Sequence, residues 1–115
     1  MADVSALRAK YVTACAAQPW GEAAAVAVLL GFGPVASRRE FARHVTMGGV
    51  NWGKVLGEPA WSSGERFLIV TAAGLWKSSL QLIDISRVPF LDDEFYAAWL
   101  AIVTASRTGK VPADA

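Results

Sequence analysis

The segment SSGERFLIVTAAGLWKS, residues 62–78, indicates the fold class of this chain. Ser62 and Glu65 have the S-x-x-E spacing of a capping box, in which each side chain satisfies a backbone N–H at a helix start. The apolar residues that follow cover more than half the circumference of a helix, and such a helix belongs at the centre of a domain. We therefore predict an all-α fold, an irregular bundle of five or six short helices around a central apolar helix at about 63–78.

Capping and helix-ending signals along the chain predict the other helices. A second capping box, Ser37 and Glu40, predicts a helix to about Val45, and the segment LQLIDIS (80–86) is expected to be a strand or irregular. The remaining predictions are a helix capped by Asp3 to about Ala17, one from Glu22 to Gly31, a short turn capped by Asn51, and one capped by Asp92 to about Arg107.

Length and composition predict one helical domain, residues 1–115, with a frayed tail at 110–115. Hydrophobic residues make up 54% of the chain and charged residues 18%. Typical values are about 45–50% and about 25%. A small domain has too much surface to bury such an excess, so some aromatic residues are expected to face another protein or a second copy. This favours a homo-oligomer.

Charge and residue types exclude several classes of protein. A net charge of +1 gives no global attraction to nucleic acid or anionic membranes. The single cysteine and single histidine exclude an internal disulfide and the common zinc patterns. The N-terminus lacks the layout of a secretory signal, and no apolar run reaches the roughly 20 residues of a membrane span. The sequence predicts a cytoplasmic protein without membrane, metal or cofactor.

The segment GGVNWGKV (48–55) has the G-x-x-x-x-G-K spacing of a phosphate-binding loop. Position 55 is Val, which cannot hold a magnesium ion as Ser or Thr would, and the preceding residues are expected to form a helix rather than a strand. We interpret the segment as a turn between helices.

Residues 37–57 allow an alternative function. A helix, a glycine-containing turn and a second helix there would present Arg38, Arg39, Arg43 and Lys54 to nucleic acid. The second helix would be short and would offer few side chains that read base edges. A solvated basic face is the competing interpretation.

Three further candidates for chemistry have simpler explanations. His44 could act as a base, but no nucleophile stands at a recognisable spacing from it. Asp92, Asp93 and Glu94 could bind a divalent ion, but their position at a helix start is explained by capping and the helix dipole. Cys15 lies on an apolar stripe, where a thiol is protonated and inert.

The tryptophans are the most informative candidates for binding. Trp20, Trp52 and Trp61 lie at or near helix boundaries and are predicted to belong to a protein interface. Trp76 and Trp99 lie on apolar helix faces and are expected in the core.

Residues 61–107, from WSSGERFLIVTAAGLW to LDDEFYAAWLAIVTASR, resemble the C-terminal part of small Ala-rich proteins of unknown function from high-GC bacteria and their phages. The resemblance implies a bacterial or phage origin and no activity. From the residues themselves we predict a small non-enzymatic protein, an adaptor or assembly subunit, that binds another protein and itself.

Overall fold

The computed structural model describes residues 3–18, 22–76 and 83–112, and it confirms the all-α prediction. Within these ranges the chain forms six α-helices, two short 3-10 segments (Pro34–Ser37 and Ile85–Phe90) and a two-stranded ribbon. In chain order the elements are α1 (Val4–Ala17), α2 (Glu22–Gly31), α3 (Arg39–Ala42), β1 (Val45–Thr46), β2 (Gly49–Val50), α4 (Trp52–Leu56), α5 (Ser63–Trp76) and α6 (Asp93–Thr108).

The helix that is buried on every side is α2, which corrects the prediction that residues 63–78 are the centre. Every residue from Ala23 to Leu30 is buried. The helix packs against α1, α5, α6 and the 3-10 segment Pro34–Ser37. Four of its residues are alanines, and such short side chains let neighbouring helices approach closely.

The helix α5 lies beside α2 and is buried over most of its length. Phe67, Leu68 and Ile69 are 3% or less exposed, whereas Leu75 is 42% exposed and Trp76 44%. The expected core position of Trp76 is therefore wrong, because the last turn of α5 extends beyond the helices that cover its middle. Residues 77 and 78 of the predicted helix lie outside the described residues.

The two predicted capping boxes have different outcomes. The box at α5 is confirmed: the Ser62 amide donates to Glu65 Oε1 (2.9 Å), and the Glu65 amide donates to Ser62 Oγ (3.1 Å). The box at Ser37 is wrong, since Ser37 ends a 3-10 segment and α3 begins without a side-chain cap. The Glu40 carboxylate instead accepts from Arg38 Nε at 3.2 Å.

A short ribbon replaces the last turn of the helix predicted to reach Val45. The strands β1 and β2 pair antiparallel through Val45 with Val50 and Thr46 with Gly49. Gly49, which begins β2, has φ +147°, a conformation that favours glycine. Tyr11 of α1 fixes the ribbon by donating its hydroxyl to the Thr46 carbonyl at 2.7 Å.

The C-terminal region is more ordered than the sequence suggests. Gly109, in the left-handed conformation (φ 77°), ends α6 as expected. Arg8 Nη2 then donates to the Pro112 carbonyl (2.9 Å), and Val111 packs on the core. Residues 110–112 are thus held in place, unlike the predicted frayed tail, while 113–115 lie outside the described residues.

Candidate protein interface

Large exposed apolar side chains are concentrated in the C-terminal part of the chain. Six are at least 42% exposed there, and Phe90 (86%) and Ile85 (70%) are the most exposed of all. The six are Leu75, Trp76, Ile85, Phe90, Tyr96 and Leu100, and Val4 and Met47 lie elsewhere.

The 3-10 segment Ile85–Phe90 carries two of these exposed side chains. Asp84 accepts hydrogen bonds from the Ser86 hydroxyl (2.6 Å) and amide (3.2 Å), and these bonds lower the pKa of its carboxyl group. The Arg87 guanidinium lies over the Phe67 ring of α5, 5.3 Å from its centroid. No residue of the segment is buried, so it touches α5 through Arg87 and leaves Phe90 in solvent.

The outer face of α6 continues from this segment. Its inner face buries Ala98, Ile102 and Ala105. The outer face exposes a row of five residues at alternating spacings of four and three. The row consists of Asp93, Ala97, Leu100, Thr104 and Arg107, and we call it the α6 row. Beside it, the Tyr96 ring stacks on the half-buried Trp99, with ring centroids 6.4 Å apart.

An apolar groove borders the α6 row on its C-terminal side. It has a volume of about 380 Å³, and its walls come from α6, from the end of α2 and from the segment after α6. Phe32, Leu100, Ala101, Thr104, Val111 and Pro112 supply most of the lining. The groove has the apolar lining that receives an aromatic side chain.

The chain has no match among known proteins. No family model, curated protein or solved structure matches it. The assignment of a function therefore depends on the geometry of this chain.

The structure buries one of the three predicted interface tryptophans. Trp52 is 5% exposed, packs on Phe41 with ring centroids 6.2 Å apart and donates to Glu22 Oε2 at 2.9 Å, so it belongs to the core. Trp61 is half-buried and donates to the Val55 carbonyl at 2.8 Å. Trp20 lies outside the described residues.

The predicted basic surface is largely neutralised by neighbouring carboxylates. Arg38 Nη1 lies 2.6 Å from Glu65 Oε1, and Arg43 Nη2 lies 2.7 Å from Glu58 Oε2. Of the four cations, only Arg39 and Lys54 have no ion pair within the described parts of the chain. The helix expected to contact bases, α4, has five residues and a buried Trp52. The nucleic-acid alternative stays a prediction, with two fewer cations to support it.

The remaining chemical candidates take structural roles. His44 Nε2 lies 3.0 Å from Glu58 Oε2 and makes no other side-chain hydrogen bond among the described residues. Burial raises the pKa of the Cys15 thiol, whose Sγ lies 3.7 Å from the Ala105 carbonyl oxygen. In GGVNWGKV, the Asn51 side chain accepts from the Lys54 amide at 3.2 Å. The segment contains β2 and the start of α4, so the expected simple turn between two helices is wrong.

The described residues contain neither a metal-binding cluster nor a membrane-spanning helix. Residues 3–18, 22–76 and 83–112 contain no group of three or more His, Cys, Asp or Glu side chains that could hold a metal ion. Among the helices described, none has the length and apolar character needed to cross a membrane.

The His44–Glu58–Arg43 cluster leads to a prediction about acid stability. Hydrogen bonds from His44 and then Arg43 lower the pKa of the Glu58 carboxyl group from its usual 4.5. A lowered pKa in the folded state contributes stability above pH 4.5 that is lost as the pH falls through the folded value. We expect Glu58→Gln to unfold more easily than the wild type at pH 7, with the difference shrinking below pH 4.5.

Urea unfolding at a series of pH values measures this difference. A difference that stays constant from pH 7 into the acid range would contradict the assignment, because it would mean that Glu58 contributes through packing alone.

Proposed function

We propose that this chain is a non-enzymatic assembly subunit that acts through protein–protein contacts and associates with copies of itself. The observation that carries the proposal is the exposure of Phe90 (86%) and Ile85 (70%) on a segment that contacts α5 through Arg87. Large aromatic side chains of this kind serve as interface anchors.

Burial of these apolar side chains supplies free energy for association. Burying a side chain such as Phe or Ile is worth about 1.5–3 kcal/mol relative to leaving it in water. Aromatic side chains bury about 150–250 Å² each, so Phe90 alone supplies a substantial part of the about 800 Å² that each partner buries in a standard interface. The exposed Tyr96 and Leu100 of α6 add to this area.

The proposal assigns no catalytic step to the chain, because His44 is engaged with Glu58 and the Cys15 thiol is buried and protonated. It retains two expectations from the sequence. A cytoplasmic location fits the single thiol. A bacterial or phage origin fits the resemblance of residues 61–107.

Light scattering tests the proposal through the size of the assembly. We expect the wild-type chain, of 12.2 kDa, to have at least twice that mass at micromolar concentration. The double variant Ile85→Ser, Phe90→Ser should shift towards 12.2 kDa. Met47→Ser is the matched control, since Met47 is 48% exposed but lies on the turn of the ribbon, and its mass should stay that of the wild type.

A wild-type protein that stays at 12.2 kDa over the whole concentration range would contradict self-association. An equal loss of mass in Met47→Ser would contradict the role of the 85–90 segment.

A further inference from the structure

The α6 row divides symmetrically about Leu100. We propose that α6 pairs antiparallel with α6 of a second copy, with the two-fold axis at Leu100, so that Asp93 of each protomer contacts the partner's Arg107. This inference rests on the proposed self-association and specifies its geometry.

The spacing of the α6 row suits contact with another helix. Its members stand at successive intervals of four, three, four and three residues, which average 3.5. This is the spacing at which one helix face stays in contact with another helix along its length. The three middle members, Ala97, Leu100 and Thr104, are all exposed, and on one side they form a wall of the apolar groove.

The charges of Asp93 and Arg107 favour antiparallel pairing. Asp93 and Arg107 lie seven positions on either side of Leu100, or about 10 Å along the helix axis at 1.5 Å per residue. Antiparallel pairing about Leu100 therefore places each Asp93 opposite the partner's Arg107, and the two-fold symmetry makes two such pairs. Neither side chain forms an ion pair within residues 3–18, 22–76 and 83–112, so both are available.

The sizes of the side chains around Leu100 fit the same register. In the same register, Leu100 meets the partner's Leu100, Ala97 faces the partner's Val103, and Thr104 faces the partner's Tyr96, which is 44% exposed. The short Ala97 and Thr104 side chains leave room for these larger partners, and the leucine pair supplies the apolar centre. Parallel pairing would instead place Asp93 against the partner's Asp93 and align the two helix dipoles unfavourably.

The exposed Phe90 fits the same arrangement. It lies just before the N-terminus of α6, while the apolar groove runs from Ala97, near the middle of that helix, to Val111 and Pro112 beyond its C-terminal end. Antiparallel pairing brings the N-terminal end of one α6 to the C-terminal end of the other. Each Phe90 is then carried to the end of the interface that holds the partner's groove, which joins the two apolar surfaces into one.

Charge reversal tests the pairing. Asp93→Arg and Arg107→Asp, each alone, should raise the dimer Kd by about tenfold, because each replaces two attractive contacts by two repulsive ones. The double variant Asp93→Arg, Arg107→Asp should return the Kd to within about threefold of the wild type. Analytical ultracentrifugation at low salt measures the Kd.

The double variant separates pairing from an effect on α6 itself. Each reversal opposes the helix dipole, so an effect on helix stability would make the double variant the weakest dimer. Pairing predicts that it recovers. Glu94→Arg, Arg107→Asp is the matched control, with the same net charge as the double variant but with Glu94 off the α6 row, and its Kd should not recover.

A second measurement uses the axis. In Leu100→Cys the two introduced thiols face each other, so mild oxidation should give a covalent dimer, whereas Arg66→Cys, exposed on α5, should form no covalent dimer. The native Cys15 is fully buried and does not interfere.

The outcomes distinguish the two proposals. If the wild type is oligomeric but neither reversal changes the Kd, the α6 pairing is wrong and self-association stands. If the wild type is a monomer at all concentrations, both are wrong. Recovery of both double variants would also overturn the pairing, because it would show that only net charge matters.

Discussion

Phe41→Ala lowers the free energy of unfolding by about 3–5 kcal/mol, the range found when a buried aromatic side chain is truncated. Phe41 is 0% exposed and is the largest fully buried side chain of the described core. Its removal also takes away one wall of the Trp52 site, since the two ring centroids are 6.2 Å apart. The free energy of unfolding of a whole domain is only about 5–15 kcal/mol, so this loss is a large fraction of the total.

Urea denaturation followed by tryptophan fluorescence measures the Phe41 effect. Phe41→Leu is the matched control, because it keeps most of the apolar volume and should cost much less. A Phe41→Ala midpoint equal to that of the wild type would mean that Phe41 does not lie in a close-packed core.

Glu65→Ala has the second-largest expected effect, about 2–4 kcal/mol. The Glu65 side chain is 8% exposed. Its two carboxylate oxygens accept hydrogen bonds from Arg38 Nη1, at 2.6 and 2.7 Å, and Oε1 also accepts one from the Ser62 amide. Its loss removes one of the two capping-box hydrogen bonds, worth about 1 kcal/mol, and leaves Arg38 without its buried partner. Breaking a fully buried pair costs about 3–5 kcal/mol, but Arg38 is 27% exposed, so solvent reduces the cost here.

Two further variants divide the Glu65 effect into its parts. Glu65→Gln keeps an oxygen for the Ser62 amide and loses only the charge, so it should be milder than Glu65→Ala. Glu40→Gln removes the other carboxylate on Arg38, at 3.2 Å, and should be the mildest because Glu40 is 31% exposed. Equal effects from all three would contradict a buried Arg38–Glu65 pair.

These stability variants also separate folding from assembly. Phe41 and Glu65 lie away from the α6 row, so their variants test the fold of each protomer. The Asp93 and Arg107 variants test contact between protomers, and their thermal unfolding at low concentration should differ from the wild type only by the helix-dipole effect.

Local signals in the sequence predicted most helix boundaries. The helix α2 begins at Glu22 and ends at Gly31 as expected, and α6 ends at the left-handed Gly109. Such signals succeed because a cap satisfies backbone groups only three or four residues away. The same signal failed at Ser37 and Glu40, where Arg38 between them and Glu65 of α5 offered stronger, charged contacts.

The candidate site was predicted less well than the fold. The apolar excess correctly indicates that large apolar side chains are left exposed, but the sequence assigned this role to tryptophans at helix boundaries. Trp52 is instead buried between Phe41 and Glu22, and the most exposed aromatic residue is Phe90. The available signal was its position next to Pro89, in a segment without helical or strand periodicity.

The sequence by itself determined the helical class, the ends of α1, α2 and α6 and the capping box of α5, because these depend on contacts between residues close in the chain. Only the tertiary structure decided that α2 rather than α5 is central, that Arg38 and Arg43 pair with carboxylates, and that Phe90 and the α6 row face solvent. Both α2 and α5 are apolar on most sides, and periodicity cannot rank them. Their burial depends on which helices pack around them, and those contacts join residues that are distant in the chain.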